Sequence, residues 1–418
     1  MPARHESVAR LRSPRHARRL TGRRALRGVS LALTGVLLFG VSAFAVLGER
    51  LNSNIQQIDV QGLLGDPSPT AGVATHDPTD PNAGSPINIL VLGSDQRNGA
   101  NAAIGGYDPS MNSDTTIVVH ISAARDRIEA VSIPRDSLVD IPSCLATNGR
   151  TSKAQHQAMF NSAFGTGWQL GKDMASAAAC VGRTVQNNTG IKIDHFIVVD
   201  FSGFQAMVSA IGGVNICIPR PLDDPGYTGL HLNAGQQTLD GTQALQFARA
   251  RHGNIGNGGD LDRIGNQQRL IAAIANQVLS ANTLTNPGKI TSFLSAATSS
   301  LTVDKGLNLM TLTGIAYSLH SIRANDITFM TIPVQTAPSN PNRLVWAPAA
   351  KTVWANVASD KPIAGADAAP ASTAPAPTTS AGTTTAPTPT ASATPTPAQT
   401  KVAGQQPFTP ADVTAVCK

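Results

Sequence analysis

The chain carries no P-loop, no Gly-x-Gly-x-x-Gly fingerprint and no Gly-x-Ser-x-Gly elbow. Walker-type nucleotide chemistry, dinucleotide redox chemistry and the usual serine-hydrolase turn therefore lack sequence support. Cys144, Cys180, Cys217 and Cys417 are too scattered for the close pairs of a zinc site. His156, His195, His231 and His252 show no ligand spacing and read as structural. No internal repeat is present, which excludes a repeat architecture. Basic residues are also missing from where a nucleic-acid protein would need them. The net charge of +6 arises before residue 28, where nine arginines between Arg4 and Arg27 face only Glu6. The rest of the chain is slightly acidic, so no nucleic-acid partner is expected.

An apolar run directly after the basic tail accounts for it. The 21 residues Gly28 to Gly48 hold no charge and are bracketed by Arg27 and Glu49. At about 1.5 Å per residue, such a helix spans the ~30 Å hydrocarbon core of a bilayer. Arginines on its N-terminal side predict a cytoplasmic N-terminus and an extracellular remainder, anchored in the cell membrane. The alternative is a cleaved signal peptide, for which Ala43-Phe44-Ala45 is a passable site. Outside a membrane, disulfides are the natural state of the cysteines. Four cysteines allow three pairings; Cys144–Cys180 with Cys217–Cys417 is preferred among them.

Composition and pattern divide the chain into seven segments: a basic tail (1–27), a transmembrane helix (28–48), a linker (49–85), a folded domain (86–346), a connector (347–363), a low-complexity stretch (364–400) and a C-terminal segment (401–418). Residues 364–400 are almost wholly Ala, Thr, Pro, Ser and Gly, with Asp367 the only charge. They bury too little apolar surface to offset chain entropy and are expected to be disordered. Within the domain, strands are predicted at 87–92, 115–121, 127–133, 194–200, 214–218 and 327–334. Helical patterns at 171–187, 201–211, 242–250 and 261–279 alternate with them, and two more are expected at 288–300 and 307–321. The fold class is therefore α/β, a mixed central sheet flanked by helices.

Five clusters can carry chemistry. Gly93-Ser94-Asp95-Gln96-Arg97 lies at the carboxyl end of a strand, where α/β sites form. Asp114 opens the next strand, so Asp95 and Asp114 can share a hard cation, Mg2+ or Mn2+, which accepts few carboxylates plus water and phosphate oxygens. Ile133-Pro134-Arg135-Asp136 ends a third strand, because proline has no N–H to continue the ladder. Arg249 and Arg251, two residues apart, share a target only if the helix ends between them. In Asp260 to Gln268, Arg263 and Gln267 lie on one helical face near an anion-attracting N-terminus. Taken singly, each has a plainer reading as a turn, a cap or a solvated charge. Converging guanidinium groups point instead to phosphate or carboxylate.

In order, "NILVLGSDQR", "SDTTIVVHIS", "VSIPRDSLVDIP", "IDHFIVVDFSGF", "IGGV", "HLNAGQQTLDGTQALQFARAR" and "DLDRIGNQQ" resemble the LytR–CpsA–Psr family of bacterial membrane-anchored proteins. The resemblance covers about 86–275. It implies a phosphotransferase that moves a cell-wall glycopolymer from a polyprenyl-pyrophosphate carrier to peptidoglycan. Asp95 and Asp114 match the family's magnesium carboxylates. Arg97, Arg249, Arg251, Arg263 and Gln267 match its pyrophosphate-binding positions, with Arg135 and Asp260 expected as catalytic residues and Asp260 as the general base. Asn112 and Asn266 stand where family members commonly carry arginine. A silent binder of lipid-linked polymers and a polyprenyl-pyrophosphate hydrolase are the alternatives.

Overall fold

The computed structural model describes residues 46, 48–60, 62–65, 83–95, 100–105, 111–254, 259–280, 286–363, 403–410 and 412. The chain divides into two units, Met1–Ser53 and Asn54–Lys418. In the first, the described residues are helical. The expected span 28–48 lies outside the described residues except for Val46 and Gly48. Among the described residues no helix is long and apolar enough to cross a membrane.

The second unit is built on a seven-stranded sheet. Its strands are β1 (Gln56–Ile58), β2 (Ile87–Ser94), β3 (Ser113–Ile121), β4 (Ile128–Ser132), β5 (His195–Val199), β6 (Leu301–Asp304) and β7 (Ile327–Thr331). Their spatial order is β1-β6-β5-β2-β3-β4-β7. β2 runs antiparallel to β3 and parallel to β5, so the sheet is mixed, and β3 pairs antiparallel with β4 as their short spacing predicts. Alternation along β2 assigns its two faces. Leu90 and Leu92 enter one core cluster with Phe164, Val181 and Trp354; Ile89 and Val91 turn to the other side.

Helices cover both faces. Of these, α1 (Met174–Thr189) packs in the core cluster of Leu90 and Leu92, while α2 (Phe201–Ala210), α3 (Gly241–Arg249) and α4 (Asp260–Val278) position the site. Each of the first three starts on an aspartate that accepts a backbone N–H of its first turn: Asp173, Asp200 and Asp240. The disulfide Cys144–Cys180, with Cα atoms 5.1 Å apart, ties α1 to the loop that follows the strand Leu138–Ile141. Cys217 is also disulfide-bonded, and Cys417 lies outside the described residues.

Several expected boundaries shift. The domain limits 86–346 are too narrow at both ends. β1 comes from the expected linker and pairs in parallel with β6. The helix Ala349–Ala358, inside the expected connector, buries Val353, Trp354 and Val357. Val214–Ile218 is a strand but leaves the main sheet to pair with Gly235–Leu239, packing against α4. The expected strand 327–334 splits at Pro333, which cannot donate to a ladder. A helix at Ser162–Gly171, whose glycines blur its period, was not expected.

The C-terminal segment returns to the domain. Phe408 is 2% exposed, exchanges both backbone hydrogen bonds with Phe329 of β7 and stacks on its ring. Gly404 donates to Gln268 Oε1, while a Cβ on Gly265 of α4 would lie only 2.6 Å from the Ala403 carbonyl. Glycine is what lets the two backbones meet there.

Candidate functional site

The carboxyl ends of β2, β4 and β5 and the start of β3 share one edge of the sheet. Glycine keeps β2 and β3 paired to that edge, since a Cβ at Gly93 would come within 2.9 Å of the Thr115 side chain. The backbone N–H of Asp95 donates to the Asn112 carbonyl at 3.0 Å, placing Asp95 beside the strand that carries Asp114. Arg97 lies outside the described residues.

Arg135 sits three residues beyond β4 and donates through Nη1 to Asp114 Oδ1 at 2.7 Å. Its backbone N–H donates to Asp260 Oδ2 at 2.8 Å. Asp260 Oδ1 accepts from Arg263 Nη2, which also donates to the Asp114 carbonyl at 2.8 Å. Two arginines and two aspartates from three elements thus form one interlocked group. Arg263 and Asp260 are almost wholly buried, with side chains 4% and 2% exposed; Asp114 is open at 33%. Nε of both arginines is buried without a hydrogen-bond partner.

The electrostatics obey the geometry. Burial alone would raise the Asp114 pKa, but Arg263 and Arg135 outweigh it and hold this carboxyl below the usual range. Burial raises Asp260 despite both arginines. For Arg251, burial and repulsion from Arg135 and Arg263 lower the pKa, so it rests in a field already too positive. That excess is what a bound anion relieves.

Behind the group lies a cavity of about 520 Å³ between the sheet and α2, α3 and α4. Apolar side chains, among them Val91, Ile117, Phe204, Met207, Leu245 and Ile271, line its interior. Asp114, Arg249, Arg251, Arg263 and Gln267 also line it. α3 stops at Arg249, and Ala250 is extended at ψ 131°, which lets Arg249 and Arg251 reach one space. Arg249 lies over the Phe201 ring at 4.6 Å. Gln267 Nε2 donates to the Ala248 carbonyl, so this glutamine also ties α4 to the end of α3.

Neither Asp260 nor Arg135 lines the cavity. The two Asp260 oxygens accept from Arg263 Nη2 and the Arg135 N–H, so this carboxylate holds both arginines in place. Sequence reading missed other members. Arg343 approaches Asp136 at 3.7 Å, and Gln268 Nε2 bonds Ser132 Oγ at 3.0 Å, bracing the strand that leads to Arg135. His252, whose spacing suggests only a structural role, lines the cavity and stacks on Tyr227 at 3.6 Å. Arg343 lies far along the chain in a separate hairpin, with no local pattern to reveal it.

A family model described as the LytR_cpsA_psr family matches residues 54–359. The chain belongs to the LytR–CpsA–Psr family. It is 34% identical over 264 residues to the cell wall biosynthesis protein LcpA of Corynebacterium glutamicum, covering 59% of this chain and 50% of that one. It is also 34% identical over 227 residues to the polyisoprenyl-teichoic acid–peptidoglycan teichoic acid transferase TagU of Oceanobacillus iheyensis, covering 54% and 62%. The chain thus spans between half and two thirds of the length of these relatives. The solved structure of the LytR-Csp2A-Psr enzyme from Actinomyces oris superposes with a TM-score of 0.51 at 20% identity, over 73% of this chain and 96% of that one. That likeness establishes the LytR–CpsA–Psr fold.

Proposed function

We propose that this LytR–CpsA–Psr protein transfers a cell-wall glycopolymer from a polyprenyl-pyrophosphate carrier to peptidoglycan. The observation that carries the reading is an apolar cavity with a cation-rich mouth. Such a shape suits a prenyl chain ending in a diphosphate, one part needing burial and the other paired positive charge. The names of the relatives agree with that chemistry.

In the proposed reaction an acceptor hydroxyl attacks the sugar-bearing phosphorus. Its bond to the bridging oxygen breaks, polyprenyl phosphate leaves, and a phosphodiester joins polymer to acceptor. Arg249, Arg251 and Arg263 hold the diphosphate, and Arg135 stabilises the charge that grows on the leaving phosphate. In a loose transition state the hydroxyl keeps its proton until late, then sheds it to a phosphoryl oxygen. Arginine placement therefore matters more than a strong base. Asp260 acts by positioning.

Magnesium or manganese fits the carboxylates. Asp114 is kept ionised and is one third exposed, and the Asp95 N–H bonds the chain two residues before it. Two carboxylates leave room for water and diphosphate oxygens, as a hard cation requires. When bound, the ion would neutralise diphosphate charge.

We further infer that residues 28–48 anchor the protein in the cell membrane with this domain outside. The Cys144–Cys180 disulfide supports an oxidising compartment. Transfer of labelled polymer from a lipid-diphosphate donor to glycan strands tests the activity. Arg135→Ala is expected to lower it roughly 100-fold or more. Full activity in that variant would remove the site assignment, and phosphate release without glycan would make the protein a hydrolase.

A further inference from the structure

An aromatic pair beside the cavity arginines has so far no part in the chemistry. Tyr227 and His252 both line the cavity, with ring centroids 3.6 Å apart and planes 13° from parallel. Chain order puts the histidine there. It follows Arg251 directly, and the extended Ala250 lets Arg249, Arg251 and His252 line one space.

The pair is held from both sides. Tyr227 sits in the turn between the antiparallel strands Leu222–Asp224 and Leu230–Leu232. The segment after α3 is fastened to that hairpin. The Arg251 N–H donates to Oδ2 of Asp224, a residue only 1% exposed, at 3.3 Å. Asn254 Oδ1 accepts the Asp223 N–H at 2.8 Å, and the Asn254 N–H donates to the Asp223 carbonyl at 3.3 Å. Gly253, at φ +66°, passes so close that a Cβ would lie 2.0 Å from that carbonyl. These contacts keep the two rings face to face.

Two observations point from the pair to a ligand. Tyr227 is 70% exposed, although packing alone would favour burying its ring. His252 Nδ1 is buried and, among the described residues, has no hydrogen-bond partner. An unpaired buried nitrogen is costly, so one kept beside a cation-rich cavity is a group whose partner arrives with the ligand. A half-turn of the imidazole about Cβ–Cγ carries Nδ1 to the opposite edge. It leaves the ring plane unchanged, and with it the stack.

We propose that His252 is a further diphosphate-binding residue, donating an imidazole N–H to a phosphate oxygen beside Arg249 and Arg251, and that Tyr227 positions it by stacking. Imidazole has an N–H to give whether neutral or charged, and a phosphate oxygen is a strong acceptor. The guanidinium groups supply charge around the diphosphate, and one N–H held in a stacked plane adds direction. The inference rests on the proposed polymer transfer and adds a residue that touches its donor lipid.

Calorimetry would use the full chain in detergent with two probes: polyprenyl diphosphate and the polyprenyl alcohol of the same length. His252→Phe keeps a ring for Tyr227 but has no N–H. At an unchanged melting temperature it is expected to weaken the diphosphate roughly tenfold and leave the alcohol unchanged. His252→Gln, which restores an N–H, should recover part of that loss. Tyr227→Ala should cost a smaller factor, again for the diphosphate alone. Equal losses for both probes in His252→Phe would reduce the histidine to a wall of the prenyl cavity and overturn the inference. Unchanged diphosphate affinity in that variant overturns it as well. Failure of polyprenyl diphosphate to bind the unaltered protein would instead overturn the proposed function.

Discussion

The central sheet carries a buried group of charges at each end, and the two are built for opposite purposes. At one end, Asn88 of β2, His120 of β3 and Glu129 of β4 lie in one row across the strands. His120 Nδ1 meets Asn88 Oδ1 at 2.8 Å and its Nε2 meets Asp360 Oδ1 at 3.1 Å. Asp360 also binds Arg127 and accepts the Ala123 N–H, while Glu129 accepts the Ile363 N–H at 2.7 Å. Burial lowers the His120 pKa despite Asp360, so the ring stays neutral near pH 7. This end turns inward on its own chain, with Arg127 Nε and Glu129 Oε2 paired only at 3.6 Å, and fastens the segment after the helix Ala349–Ala358 to the sheet.

The arginine end uses the same residue types and stays open. Among the described residues its cavity is lined by Arg249, Arg251 and Arg263 against the carboxylates of Asp114 and Asp200. A closed polar network contributes to the fold, whereas one with a cation surplus beside a void is ready for an anion. Burial and charge are common to both, so neither separates a site from a strut. Connectivity does.

Breaking the open end should give the largest effect. Arg263→Ala removes the contacts to Asp260 and Asp114 and is expected to cost on the order of 100-fold in polymer transfer. It should also lower stability, because Asp260 would stay buried without its nearest cation. Activity assays and denaturant titration separate the two losses. At the closed end, Asp360→Ala should cost about 2 kcal/mol of stability, the scale of several lost charge-assisted hydrogen bonds. Binding of lipid diphosphate should be unaltered; a parallel loss of binding would show that the two ends are coupled.

The smallest effect concerns pH. Asp114 has a lowered folded-state pKa, so its stabilising share is complete above the ordinary carboxylate value, about 3.9. That share fades as pH falls through the lowered value. Thermal unfolding measured from pH 6 downward should therefore show a shallower acid decline in Asp114→Asn than in the parent. An identical decline would mean that the arginines do not stabilise this carboxylate.

Much of this was visible in the sequence because it is local. Alternation in INILVL and TTIVVHI marks strands, aspartates before apolar runs mark helix starts, and Pro134 marks where Arg135 must leave the ladder. The two-residue spacing of Arg249 and Arg251 already required a helix end between them, and α3 ends there. The hidden part was long-range. Nothing near residues 56–58 or 403–408 announces a place beside β6 or β7, because short segments with weak patterns gain their structure from the partner. Asp260 looked like a base because sequence lists a carboxylate without its hydrogen bonds.

The family, the α/β alternation and the residue types that gather at one sheet edge can all be read along the chain. Tertiary structure alone decided which of those charges face the cavity and which only hold others in place. The physical reason is that charge identity is written residue by residue, whereas desolvation and pairing depend on neighbours more than a hundred positions away, as the Arg135 N–H to Asp260 bond shows.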